Sequence, residues 1–295
     1  LHDSVAIDAA LLRTWPLPVP GDGGKDERGR VFVVAGAPQM PGAAILCATA
    51  ALRAGAGKLQ VGTCASVAPL VAAAVLEALV VPLEETRSGA IARTAAKPIA
   101  ERANAAHALV IGPGLNDETE SARLIESVAS KLRVPVVIDA AALACFARRP
   151  KVVAHLHGAA VFTPHAGEMA TMMRRSRDEI EADPQRYARA AAERFGAVVV
   201  LKGATTHIAD PRDGALYRND HGDAGLATSG SGDVLAGIIG GLLARGAEPL
   251  HAAAWGVHLH ARAGDVLSQR IGLGFLAREL PAKVPRLMRE LSMSP

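Results

Sequence analysis

An α/β fold, with a mostly parallel central sheet covered by helices on both faces, is predicted by three observations on this 295-residue chain. Apolar runs of Val, Ile and Leu recur without the alternation of a half-exposed strand, as a sheet buried on both faces requires. Helix-length segments stand between these runs, so crossovers join the strands and gather the loops at their carboxyl ends along one edge, where such folds bind ligands. Half of the residues are hydrophobic and only 3% aromatic, so Ala, Val, Leu and Ile must build the core. Small side chains let helices lie close to a sheet and offer few surfaces for stacking bases.

Residues 1–15 alternate polar and apolar groups at helical spacing, with Asp3 or Ser4 as cap. The Pro- and Gly-rich stretch WPLPVPGDGGKDERG then stops regular structure. Residues 1–24 are therefore expected as an N-terminal helix and linker within a single domain spanning 1–295. Strands are predicted at 30–35, 59–63, 108–111, 135–140, 159–162 and 197–201. Helices are predicted at 42–54, 68–78, 89–104, 119–131 and 184–195. The window 67–83 is too short and interrupted by Pro69, Glu77 and Pro82 to span a membrane, and reads as a buried helix followed by a strand. Residues 206–220 read as a hairpin turning at DPRDG, and the two long apolar segments after Asp233 read as packed helices.

The chain carries 32 basic and 29 acidic residues, a net charge of +3, well mixed along its length. That balance, with few aromatics, gives no reason to expect a nucleic-acid partner. Arg148, Arg149 and Lys151, like Arg174 and Arg175, read as solvated surface. Cys47, Cys64 and Cys145 are too scattered for a disulfide framework, and the N-terminus lacks the pattern of a secretory signal. A cytoplasmic protein is expected, without a membrane segment. His155, His157, His251, His258 and His260 lack the spacing of a zinc site and read as core or surface residues.

The strongest local signal is ATSGSGDVLAGIIGGLLA at 227–244. Gly230 and Gly232 allow backbone N–H groups to converge on an anion at a helix N-terminus. An acidic group there repels phosphate, so Asp233 needs a reason for its place, and activation of a hydroxyl supplies one. A helix cap is the plain alternative. LKGATT at 201–206 ends an apolar run with Lys202, which offers a charge to phosphates, Gly203, which admits a close approach, and the hydroxyls of Thr205 and Thr206. TPHAGE places His165 and Glu168 after another strand. Asp139, ending PVVID, is a candidate to assist a magnesium ion through waters. Neither GxxxxGK[ST] nor GxGxxG is present, and there is no GxSxG elbow.

Together, GAAILCATAALRAGAG, VIGPGL, VVIDAAAL, FTPHAGE, VVLKGATT and GDAGLATSGSGDVLAGIIGGLLARG resemble the ADP- or ATP-dependent NAD(P)H-hydrate dehydratases, from about Lys25 to Asp265. The resemblance implies a ribokinase-like three-layer sandwich and repair of NADH or NADPH hydrated on the nicotinamide ring. It also implies ADP or ATP as phosphoryl donor with Mg2+. By the same resemblance, Asp233 activates the hydrate hydroxyl, Gly232 and Lys202, Gly203, Ala204, Thr205 and Thr206 bind the nucleotide, and Ala43, Gly114 and His165 line the substrate site. The chain departs from the usual pattern at Ala141, where a second aspartate is common, and at Asn116, Asp223, Leu226 and Ser229. Ser229 requires a backbone with negative φ.

Many bacterial members carry a fused epimerase domain. This length leaves no room for one, so a separate epimerase is expected, and the alanine-rich helices suit a homo-oligomer. The competing readings are a small-molecule kinase of the same superfamily, acting on a hydroxymethyl pyrimidine, a thiazole alcohol or a sugar, and a non-catalytic nucleotide sensor.

Overall fold

Successive residues of a strand face opposite ways, so a strand apolar at every position must be covered twice. The computed structural model, which describes residues 4–19 and 24–293, meets this demand. Its strands are β1 (Val5–Ala6), β2 (Arg30–Val34), β3 (Lys58–Cys64), β4 (Ala78–Leu83), β5 (Ala108–Ile111), β6 (Val136–Ile138), β7 (Ala160–Phe162), β8 (Val198–Leu201), β9 (Thr206–Ala209) and β10 (Leu216–Asn219). One sheet holds them in the order β1-β10-β9-β8-β7-β6-β5-β2-β3-β4. Among the described strands only β9 runs against the rest, pairing antiparallel with both β8 and β10. The carboxyl ends of β2, β5, β6, β7 and β8 therefore share one edge.

The helices are α1 (Ala9–Thr14), α2 (Gly24–Glu27), α3 (Pro41–Arg53), α4 (Ala68–Ala74), α5 (Ala96–Asn104), α6 (Glu118–Ala129), α7 (Ala166–Met173), α8 (Arg177–Ala182), α9 (Pro184–Phe195), α10 (Ser231–Ala244), α11 (Pro249–Ile271) and α12 (Val284–Met293). Val31 and Val33 of β2 pack on one side with residues of α3, α10 and α11. Phe32 and Val34 pack on the other with residues of α5, α6, α7 and α9. This makes three layers. The helix α10 is buried along nearly its whole length, and it lies against α3 with almost no side chain between them. A methyl group at Gly237 or Gly241 would stand 2.2 Å from the Cys47 carbonyl oxygen or 2.4 Å from that of Ala51.

Within the expected N-terminal helix and linker over 1–24, of which residues 1–3 and 20–23 lie outside the described residues, a helix forms as α1 and a short strand precedes it. Val5 and Ala6 pair in parallel with Tyr217 and Arg218, too short a strand to leave a periodic signal. Asp8, rather than Ser4, caps α1 by accepting from the Leu11 N–H at 2.8 Å; the Ser4 carbonyl instead accepts from Arg218. Asp3 lies outside the described residues. Trp15 stacks on His251, with ring centroids 4.6 Å apart, and its carbonyl accepts the indole N–H of the fully buried Trp255 at 2.8 Å.

The hairpin over 206–220 and the helix over 184–195 form as expected. The helix expected over 68–78 ends at Ala74, and the strand after it is a partly exposed sheet edge. The sequence reading passes over α7 and α8, each one or two turns long and begun by a capping box: His165 with Glu168, and Ser176 with Glu179. It also passes over α12 and the 3₁₀ helix Ala140–Ala147. Among the described residues no helix is long and apolar enough to cross a membrane.

Candidate active site

Parallel strands deliver their terminal residues to one place, and here three carboxylates and one ammonium group meet. Asp139 leaves β6 buried, 2% exposed, and its Oδ1 accepts from the Thr163 hydroxyl at 2.7 Å and from Lys202 Nζ at 3.2 Å. Lys202 follows β8, and its Nζ also lies 3.8 Å from Glu168 Oε2. Burial works against the lysine charge, but Asp139 and Glu168 outweigh it and hold its pKa above the ordinary value. Asp233, in the first turn of α10, completes the group.

Four such groups cannot all be charged without an excess of negative charge, so one carboxyl keeps its proton longest. That carboxyl is Asp233. Burial first, then the Asp139 charge, push its pKa up to about 7, with Lys202 pulling down and Glu168 pushing up. Near neutrality it can take or give a proton.

Next to this carboxyl stands the start of a 14-residue helix whose N-cap, Gly230 at φ +89°, makes no side-chain cap bond. Lys202 Nζ lies 3.3 Å from where a methyl group on Gly232 would be. The Ser231 N–H donates to the Thr228 carbonyl; the further N–H groups of a helix start have no intrahelical partner and, with a lysine beside them, suit the oxygens of a phosphate chain. Among the described residues no three His, Cys, Asp or Glu side chains converge tightly enough to hold a metal by themselves. Mg2+ still fits, because it commonly binds through one or two carboxylates together with phosphate oxygens. Asp139 already accepts from Thr163 and Lys202 and Glu168 from the His165 N–H, so either carboxylate would meet such an ion with its remaining lone pairs or through waters.

The sequence-predicted residues fall at this edge, and each has local partners there. Gly203 and Ala204 form an exposed turn, and Thr205 donates to Asp220 at 3.1 Å. Thr206 begins β9. His165 is a helix cap: its Nδ1 accepts from the N–H groups of Gly167 and Glu168, at 3.0 and 3.2 Å. The proton therefore sits on Nε2, 3.5 Å from Glu168 Oε1. Beside His165 and Glu168 a cleft of about 410 Å³ opens, also lined by Asn116, Asp117, Ala141 and Thr171. Ala141 leaves this cleft without the carboxylate an aspartate would bring.

Ala43 and Gly114 touch, and their small size serves that contact before any ligand. A methyl group on Gly114, at φ +64°, would stand 2.5 Å from Ala43 Cβ and 2.9 Å from the Met40 carbonyl oxygen. We expect Gly114→Ala to cost about 2–4 kcal/mol in urea unfolding. A loss under about 1 kcal/mol would show that the loop gives way.

Ser229 is accommodated, since it is absent from the positive-φ positions, which outside glycine are Asp117, Ala140, His157 and Arg174. Sequence reasoning did not give Glu168 a charge-pairing role, although its place three residues after His165 is the capping-box spacing. Nor did it give a role to His260, which contacts Ser231.

A carboxyl that exchanges protons near neutrality, set against an anion cradle, is equipment for a phosphate-handling α/β enzyme. Comparison with known proteins narrows that class. The chain belongs to the NAD(P)H-hydrate dehydratase family, whose profile matches residues 31–286. It is 47% identical to the ADP-dependent (S)-NAD(P)H-hydrate dehydratase of Xanthomonas campestris pv. campestris, over 97% of this chain and 96% of that protein. It is 40% identical, over 97% of its own length, to the bifunctional NAD(P)H-hydrate repair enzyme of Moorella thermoacetica, and spans 54% of that longer protein. Among solved structures, the ADP/ATP-dependent NAD(P)H-hydrate dehydratase of Bacillus subtilis, co-crystallized with ATP and Mg2+, superposes with a TM-score of 0.83 at 29% identity. The match covers 99% of this chain and 100% of that one. The expected ribokinase-like sandwich is the fold found.

Proposed function

We propose that the protein dehydrates the S form of hydrated NADH or NADPH at the expense of ADP or ATP. One observation carries this reading: Asp233, with its pKa near 7, stands at the anion cradle and beside Lys202. Asp233 takes the proton of the ring hydroxyl, so that the oxygen can attack phosphorus. Gly232 N–H and Lys202 hold the phosphates while the transferred group carries its charge. Asp139 and Glu168 keep Lys202 charged and in place. The nucleotide supplies the phosphoryl group that turns hydroxyl into phosphate, a better leaving group, and Mg2+ when bound adds positive charge. The ring nitrogen then helps expel phosphate, a neighbouring ring proton is lost, and the double bond re-forms.

Ala43, Gly114 and His165 serve the hydrated dinucleotide in this reading, and the segment 202–206 serves the nucleotide. An epimerase acting on the same hydrate, a homo-oligomer and a cytoplasmic setting belong to the same proposal. The three cysteines, all buried and unpaired, suit a reducing compartment.

The test is recovery of reduced-nicotinamide absorbance from hydrated NADH with Mg2+ and either ADP or ATP. Recovery with one of them supports the reading and identifies the donor. No recovery with either, from folded protein that binds nucleotide, would sink it.

A further inference from the structure

We infer that His260 is a positioning residue for the anion cradle: from behind α10 it holds the Ser231 carbonyl and, through the shared peptide unit, aims the Gly232 N–H at the phosphates. The inference rests on reading the start of α10 as the phosphate site.

His260 lies on α11, nearly buried, with its Nε2 3.0 Å from both the carbonyl oxygen and the hydroxyl of Ser231. A carbonyl has no proton to give, so Nε2 carries it and donates. Burial pushes the His260 pKa down to about 4, so near neutrality the ring is the neutral tautomer with its proton on Nε2. The Ser231 C=O and the Gly232 N–H belong to one planar trans unit and point opposite ways. Holding the oxygen toward α11 therefore turns the N–H away from it. Lys202 reaches toward Gly232. A hydrogen bond accepted at the oxygen also polarises the peptide and strengthens its N–H as a donor.

The same face of α11 fixes the chain leading into the cradle. Asp265 accepts from the Gly222 N–H at 3.0 Å, and the Ser268 hydroxyl donates to Asp223 at 2.8 Å. Gly264 leaves room for Leu226, which a methyl group there would meet at 2.7 Å. Positions 260, 264, 265 and 268 are neighbours on a helix surface. His260 is the member of this row that reaches the peptide beside the reacting groups.

The experiment measures ADP and adenosine binding, with Mg2+, by calorimetry for wild type, His260→Leu, His260→Asn and His260→Gln. Adenosine has no phosphate, so only loss of phosphate alignment separates the two ligands. Gln can place an N–H near the position of Nε2, and Asn falls short of it. Leu and Asn are expected to weaken ADP about tenfold, to leave adenosine within about threefold, and Gln to recover most of the loss.

Equal weakening of both ligands, or unchanged ADP affinity in Leu and Asn, would overturn the inference. If Leu fails to fold by circular dichroism, the Asn and Gln pair decides, and equal ADP affinity in these two overturns it. Wild type that does not bind ADP overturns it as well. Wild type that binds ADP but leaves hydrated NADH untouched removes the dehydratase reading and leaves the His260 result standing.

Discussion

Asp233→Asn is expected to lower kcat on the order of 10³-fold, the loss typical of removing a positioned general base, while the protein stays folded. Asn keeps the volume and a polar head but cannot take the proton. In the wild type, kcat/KM should rise with pH through about 7, where Asp233 ionises, and then level off. The variant should lack that limb. A loss below tenfold, or a limb kept in the variant, would assign the proton to another group.

The same substitution should stabilise the protein in alkali. Asp233 is raised on folding, so below about pH 4 the carboxyl is protonated in both folded and unfolded chains and costs nothing. Between about pH 4 and pH 7 the unfolded chain gives up its proton while the folded one keeps it, and the cost of ionisation grows. Above the folded value the cost is complete. Unfolding in urea should therefore find the Asn variant more stable at pH 8 by on the order of 1–3 kcal/mol, after allowing for screening, and little different at pH 4. The two effects share a cause, for the strain that readies the carboxyl for chemistry is lost with it.

Lys202→Met is expected to cost about 3–5 kcal/mol near neutral pH. Asp139 would be left buried without its cation, facing Glu168 and Asp233. The cost should shrink in mild acid, as carboxylates regain protons. Because Lys202 holds the Asp233 pKa down, any residual activity should show its acid limb above pH 7. Adding Asp139→Asn should restore much of the stability, since the most buried of the three carboxylates then carries no charge, but not the activity. A single-variant loss below about 1 kcal/mol in urea unfolding would mean that water reaches Asp139 freely and the pair is not a buried one.

Local pattern made the central sheet legible. Ala108–Ile111 and Pro184–Phe195 form where apolar runs and proline starts say they should. The glycine-rich approach to Asp233 was legible for a similar reason, as the glycines announce a helix start without a side-chain cap. What stayed hidden depends on distance along the chain or on a rare backbone state. Lys202 and Asp139 are 63 residues apart, and no periodicity joins them. Ala140 follows Asp139 with φ +51°, which starts the 3₁₀ helix where the run of alanines suggests nothing special. The Thr205 hydroxyl is bonded to Asp220 on the hairpin, a pairing no motif encodes. The motifs gather at one edge of the sheet, and packing there decides which of their side chains bond to one another.

The chain has two tryptophans, and both sit where the N-terminal segment docks: Trp255 donates to the Trp15 carbonyl, and Trp15 stacks on His251. Intrinsic fluorescence is thus an optical label for that seam. A shift in emission that precedes the loss of helical signal would record the first residues peeling from α11 while the sheet is still intact.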